Sequence, residues 1–187
     1  MARHDSLVAD QLRWFGGHEV KHTGDGILAT FDGPARAIRC AAAIAEAARE
    51  ELDLDVRAGL HTGEVEVVGA DLRGLAVHIA ARICAEGGPG EVLVSRTTKE
   101  LVIGSGVALA HHATRTLKGV PGEWSLFAVV DGESRPRALA DTPHDHLRLG
   151  DTVGLTLARR APRVFRTMSR VERAAAQTLT ALRGRER

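Results

Sequence analysis

The sequence is poor in aromatic residues: its 187 residues include four Phe, two Trp and no Tyr. Sheet proteins that bind single-stranded RNA stack bases on exposed aromatic side chains, so a nucleic-acid-binding module is the least favoured function. No apolar run is long enough to span a bilayer, and the first residues lack the apolar core of a secretory signal peptide. These absences predict a cytoplasmic protein that does not bind nucleic acid.

Metal-binding and redox motifs are also absent. The two cysteines, Cys40 and Cys84, lie far apart without the spacing of a zinc or thiol-redox site, so we expect reduced thiols in the core. Six histidines show no metal-ligand spacing either, and two of them are an adjacent pair expected at the surface: His4, His18, His22, His61, His111 and His112.

Charge divides the chain into two parts. Residues 1–130 carry 13 Lys/Arg against 17 Asp/Glu, whereas residues 131–187 carry 12 against 7. We interpret 131–149 as a linker and 150–187 as a basic amphipathic helical tail. Such a tail could meet a membrane, nucleic acid or the domain's own acidic face. A solvated or self-docked helix is favoured, and membrane contact is disfavoured.

Residues 1–130 alternate between helical and strand patterns. The elements expected are an opening helix around Leu7, Leu12 and Phe15, strands at 18–21 and 27–31, a helix at 35–52, strands at 56–61 and 64–68, a helix at 75–85, and strands at 91–94 and 124–130. Strands paired through short loops and interleaved with helices predict an α+β sandwich, in which helices pack on a mostly antiparallel sheet.

The stretch KHTGDGILATF, residues 21–31, places Asp25 between two glycines at a hairpin tip. Asp-Gly between two β-rich runs is typical of a simple turn. The flanking glycines would also allow a ligand to approach closely, and a carboxylate is a natural ligand for Mg²⁺ or Mn²⁺. One carboxylate does not make a metal site, so both interpretations stay open at this point.

Four segments together carry a resemblance that none carries alone: EVKHTGDGILATFDGP (19–34), VRAGLHTGEVE (56–66), ADLRGLAVHIAARI (70–83) and GPGEVLVS (88–95). In this order and spacing they closely resemble the catalytic domain of bacterial class III adenylate/guanylate cyclases, from about Leu7 to Val130. The resemblance implies a ferredoxin-like sandwich, a divalent metal (Mg²⁺ or Mn²⁺) as cofactor, ATP as substrate, and a homodimer or a heterodimer with another cyclase domain.

The resemblance also implies roles for individual residues. Asp25 matches the second of two metal-binding aspartates, and Lys21 and Asp71 match the pair that reads adenine. Arg82 matches the arginine that steadies charge on the phosphates. His78 stands where most of these enzymes have a ribose-orienting asparagine, and a histidine can still donate one hydrogen bond there. Cyclisation needs such groups, because a hydroxyl must be activated and several phosphate charges neutralised.

In similar cyclases an upstream interior strand carries the first metal aspartate, and this sequence begins in the helix that follows that strand. Asp5 and Asp10 do not match that motif. We therefore expect unpaired backbone groups on the neighbours of the absent strand. We also expect the adenylate cyclase activity of this chain to be impaired. The alternative is a non-catalytic regulatory or partner subunit, which completes the active site of another protomer.

Overall fold

The computed structural model describes residues 2–24, 26–69, 71–130 and 153–159. Within them the helices are α1 (Ala2–Phe15), α2 (Pro34–Leu52), α3 (Leu75–Glu86) and α4 (Arg96–Leu101). The strands are β1 (Gly17–His22), β2 (Ile27–Phe31), β3 (Val56–Thr62), β4 (Glu66–Val68), β5 (Asp71–Arg73), β6 (Val92–Ser95), β7 (Leu109–Thr116), β8 (Glu123–Val129) and β9 (Val153–Arg159). The α+β class predicted from the sequence is confirmed.

Seven of these strands form one sheet in the order β1-β2-β9-β3-β6-β8-β7. All neighbours are antiparallel except β3 and β6, which are parallel. The mostly antiparallel sheet is therefore confirmed. β4 and β5 form a separate two-stranded sheet. The sequence predicted a strand at 64–68 but missed β5, α4 and β7.

Helix α2 covers one part of the sheet. Its composition is alanine-rich, which favours helix, and Pro34 lies at its first turn, where a missing N–H costs nothing. Its buried face includes Ile38, Ala41, Ile44 and Ala48. That face packs with residues of α1, β2 and β3 in one apolar core.

Helix α3 lies directly on β3, and Gly59 permits this approach. A Cβ atom at Gly59 would collide with the backbone N of Cys84 and come within 2.6 Å of the carbonyl oxygen of Ala80. Ile79 and Ile83 of α3 join a second apolar cluster, which includes Leu93 of β6. The position of α3 matters for function because it carries two of the predicted site residues.

Strand β9 corrects two expectations. Residues 153–159 belong to the segment predicted as a helical tail, yet they form a strand between β2 and β3, antiparallel to both. The helical prediction rested on positions after Pro162 and overlooked the alternating run VGLTLA. Unpaired backbone groups were also expected beside an absent interior strand, whereas β9 pairs with the backbones of both β2 and β3, the strands that it separates. The predicted linker 131–149 and the remainder of the tail lie outside the described residues.

Two smaller expectations, about the cysteines and about the histidine pair, are confirmed. Cys40 and Cys84 are buried free thiols. His111 and His112 are exposed on β7. Among the helices that the structure describes, none has the length and apolar character needed to cross a bilayer.

Candidate functional site

Lys21 and Asp71 meet at the edge of the domain, although 50 positions separate them in the sequence. Lys21 Nζ lies 2.6 Å from Asp71 Oδ1, and the two side chains are 43% and 44% exposed. A β-bulge in β1 falls between Glu19 and Lys21, where the register against β2 shifts by one residue. Bulges re-aim the side chains that follow them, so the local irregularity helps to direct Lys21 toward β5.

Asp71 is fixed by its own backbone as well as by Lys21. It begins β5 just after the tight β4–β5 connection, in which Gly69 has a φ of 64°. Its Oδ1 atom also accepts a hydrogen bond of 2.8 Å from the backbone N–H of Leu72. The hydrogen bond from Lys21, followed by that from Leu72, lowers the pKa of Asp71. Asp71 is therefore an anion at neutral pH and can only accept hydrogen bonds.

Both partners keep bonding capacity for a further group. The Lys21 ammonium has three N–H donors, and Asp71 Oδ1 takes only one of them. Among the described residues, none donates to Asp71 Oδ2. An exposed donor and an exposed acceptor thus lie side by side, which is the arrangement required to read a paired donor/acceptor edge of a ligand.

The other two predicted site residues lie on α3, which follows β5 after a single glycine. That glycine, Gly74, has a φ of 134°, a conformation that other residues rarely adopt. His78 is exposed and Arg82 is half-buried, on the side of the helix away from the buried Ile79 and Ile83. Because they are four residues apart, they are one turn apart on the same face.

Comparison with known proteins bears on the family of this domain. A Rhizobium meliloti protein named "Putative adenylate cyclase 3" is 36% identical over 154 residues, which make up 76% of this chain and 26% of that protein. The adenylate/guanylate cyclase/hydrolase of Silicibacter pomeroyi has the same fold, with a TM-score of 0.62 and 27% identity over 67% of this chain and 78% of that chain. The described domain belongs to the class III adenylate/guanylate cyclase family.

Relatives of this cyclase domain are longer than the chain. An uncharacterised Mycobacterium tuberculosis protein is 34% identical over 141 residues, which are 74% of this chain and 36% of that protein. The chain thus spans between 26% and 36% of the length of these curated relatives. No protein-family model matches the chain.

The metal site of a cyclase is not found in the described part of this domain. Asp25, the predicted ligand, lies outside the described residues. The residues that are described contain no group of three or more His, Cys, Asp or Glu that could hold a metal ion. β9, inserted beside β2, contains no Asp or Glu. The described residues therefore do not fit a metal centre, and Mg²⁺ or Mn²⁺ at Asp25 stays a prediction.

A second polar cluster lies inside the cyclase domain, and the sequence patterns gave no role to it. His61 Nδ1 is 2.8 Å from Ser95 Oγ, and Ser95 Oγ is 3.0 Å from Thr98 Oγ1, which is also 3.1 Å from Thr62 Oγ1. All four residues are buried. Burial lowers the pKa of His61 from 6.5 to about 4, so its ring is neutral at physiological pH. The cluster joins β3, β6 and α4. Its members form hydrogen bonds with one another, which indicates a structural role.

Proposed function

We propose that this chain is an adenylate cyclase-type domain that binds ATP and acts as part of a dimer in forming cyclic AMP. In this proposal it contributes the purine-reading and phosphate-directed residues of an active site. The observation that carries the proposal is the contact of Lys21 with Asp71 at 2.6 Å, in a domain of the class III cyclase family.

The pair favours adenine over guanine for a simple chemical reason. Adenine presents a donor at its exocyclic amine and an acceptor at the adjacent ring nitrogen, whereas guanine presents the reverse pattern on that edge. Asp71 can only accept, and Lys21 can only donate. Adenine therefore satisfies both side chains. Guanine would place its acceptor against the Asp71 carboxylate and its donor against the Lys21 ammonium, so neither side chain would be satisfied.

Arg82 has the properties required to act on the triphosphate. A guanidinium is permanently charged and offers several N–H donors in a fixed plane to phosphate oxygens. His78, one turn earlier on the same face, has a neutral form with one N–H that can donate to a ribose hydroxyl. We assign to Arg82 the stabilisation of charge on the phosphates, and to His78 the orientation of the sugar.

The proposed reaction is an intramolecular displacement at phosphorus. The ribose 3′-oxygen forms a bond to the α-phosphorus and gives its proton to solvent water, while the bond from that phosphorus to the bridging oxygen breaks and pyrophosphate leaves with the electron pair of that bond. This chain's residues hold the base, orient the sugar and compensate negative charge as it builds on the phosphates. None of these steps is assigned to a metal held by the described residues.

The second candidate function, a partner subunit, is favoured by the composition of β9. The resemblance expects an interior strand with a metal-binding aspartate, but β9 lies between β2 and β3 without a carboxylate. Asp25 alone would bind a metal weakly. We therefore infer that the 187-residue chain turns over ATP feebly by itself, and that it completes the site of a protomer that supplies the metals.

A complementation assay tests this division of roles. The chain is mixed with a class III adenylate cyclase whose own purine-reading and phosphate-directed residues are disabled but whose two metal aspartates are intact. We expect cyclic AMP formation to return. Arg82→Ala should lower the restored rate by roughly a hundredfold, because the arginine acts on charge that develops in the transition state.

Two control variants test whether the loss of rate is specific to Arg82. Arg96→Ala removes an exposed arginine on α4 that pairs with Glu100, and it should leave the restored rate unchanged. Asp25→Ala should also matter little, since the metals would lie on the other protomer. The proposal fails if no activity returns with a demonstrated heterodimer, or if Asp25→Ala abolishes the rescue while Arg82→Ala does not.

A further inference from the structure

Strand β9 comes late in the chain but lies in the interior of the sheet, between β2 and β3. β2 and β3 run parallel to each other, and β9 separates them while running antiparallel to both. Five positions of β9 pair with β2 and seven pair with β3. Every other pairing in this sheet is formed between strands of residues 17–129. One distant segment therefore joins the β1–β2 hairpin to the rest of the sheet.

The groove that β9 fills is a strong acceptor for an extended chain. Both walls are strand backbones, and each would present unpaired N–H and C=O groups if the groove were empty. Addition of a strand to such an edge is a common way to bind a peptide, and here two edges face the same strand. The register aligns Val153, Leu155 and Leu157 with residues of β2 that are at most 3% exposed: Phe31, Ala29 and Ile27.

The segment between β8 and β9 is long enough for β9 to insert between β2 and β3 of its own molecule. The pairings through β6 and β3 make β8 and β9 parallel and put Ala128 level with Thr156. From Val130 to Val153 the chain must return about 17 Å along the strands and cross three strand spacings, about 14 Å, a span of about 22 Å. The 22 residues 131–152 connect these points, and a chain of that length can extend to at most about 75 Å, well beyond the span.

We propose that the groove between β2 and β3 is a strand-acceptor site, and that residues 153–159 are its tethered ligand, held by the same molecule and displaceable by a free strand of the same sequence. Because the connecting segment is long enough to cover the span, binding of the strand is an intramolecular event, which raises its effective concentration over that of a strand from another copy. Insertion within one molecule is therefore favoured over exchange between two copies. This inference needs no nucleotide and is independent of the proposed function.

The test uses the complete chain with a protease site inserted between Arg137 and Ala138. After cleavage, both fragments should elute together from gel filtration, in equal amounts and with the same mass as the uncut protein. A fluorescent peptide of residues 151–160 should then replace the C-terminal fragment, which is followed by fluorescence anisotropy and by release of that fragment. The same peptide with Leu155→Pro should bind at least about tenfold more weakly, because proline removes a backbone donor from a strand paired on both sides.

Three results would overturn the proposal. Loss of the C-terminal fragment after cleavage, with the circular dichroism and melting temperature of the remainder unchanged, would show that β9 is not part of the sheet. Fragments that stay together but take up no peptide, even after unfolding and refolding, would show that the strand is not exchangeable. An uncut dimer that separates only on cleavage and Leu155→Pro substitution would show strand exchange between copies.

Discussion

Lys21 and Asp71 form an ion pair that is nearly half exposed, whereas the hydrogen-bonded chain of His61, Ser95 and Thr98 is buried. In the buried cluster the hydroxyls bond to one another, so its members are satisfied within the fold. In the exposed pair, donors of Lys21 and one oxygen of Asp71 are left over. The difference indicates that the buried cluster stabilises the domain, while the exposed pair has bonding capacity left for the ligand that we propose.

The largest effect should come from reversing the polarity of the exposed pair. Lys21→Glu with Asp71→Cys presents the opposite donor/acceptor pattern to the base. In the complementation assay we expect the ratio of ATP to GTP turnover to fall by about a thousandfold, because two polar contacts are mismatched at once. Lys118→Glu, at an exposed lysine elsewhere, is the control for charge. An unchanged ratio would show that the pair does not read the purine.

The buried cluster should make the free energy of unfolding depend on pH. The pKa of His61 is about 4 in the folded protein and near 6.5 when the chain is unfolded. The unfolded state therefore binds more protons between these values, and the free energy of unfolding should fall as pH drops from 6.5 toward 4, by up to about 3 kcal/mol. Urea unfolding at several pH values measures this slope.

His61→Gln should make that slope shallower, since the variant has no imidazole to titrate. His111→Gln, at an exposed position on β7, should leave the slope nearly as it is in the parent protein. Equal slopes in the parent and in His61→Gln would contradict the assignment of His61 as a buried neutral group.

Removal of one hydroxyl from the buried cluster should cost less. Thr98→Val preserves shape but takes away a bonding partner from Ser95 and from Thr62. We expect the free energy of unfolding to decrease by about 1–3 kcal/mol, with the rate in the complementation assay unchanged. Thr97→Val, at the exposed neighbouring residue, is the matched control. A stability equal to that of the parent protein would show that these hydrogen bonds are not needed.

The smallest effect should be the change in protein stability when the exposed pair is broken. Hydrogen bonding from Lys21 lowers the pKa of Asp71 below 3.8, so any stability from the pair is present above that pH and lost below it. Salt screens exposed charges, so Asp71→Asn and the parent protein should have the same melting temperature in about 1 M salt. A large difference that survives high salt would mean that the pair is structural, contrary to the comparison.

Local patterns in the sequence were sufficient for much of the fold. The alanine-rich run predicted α2, and the glycine-flanked turn predicted the β1–β2 hairpin, because both signals depend on residues close together in the chain. The resemblance named Lys21 and Asp71 as one pair, and the structure brings them into contact. Their reading of adenine, and the roles of His78, Arg82 and Asp25, stay proposals.

The sequence by itself determined α1, α2, α3 and the β1–β2 hairpin, since backbone preference and apolar spacing act over a few residues. Only the tertiary structure decided that residues 153–159 pair with β2 and β3, because these partners lie roughly a hundred residues away and no local preference identifies them. It likewise decided that His61 and Ser95 belong to one buried cluster. Strand register and buried polar contacts depend on which distant backbones meet, and folding of the whole chain fixes that choice.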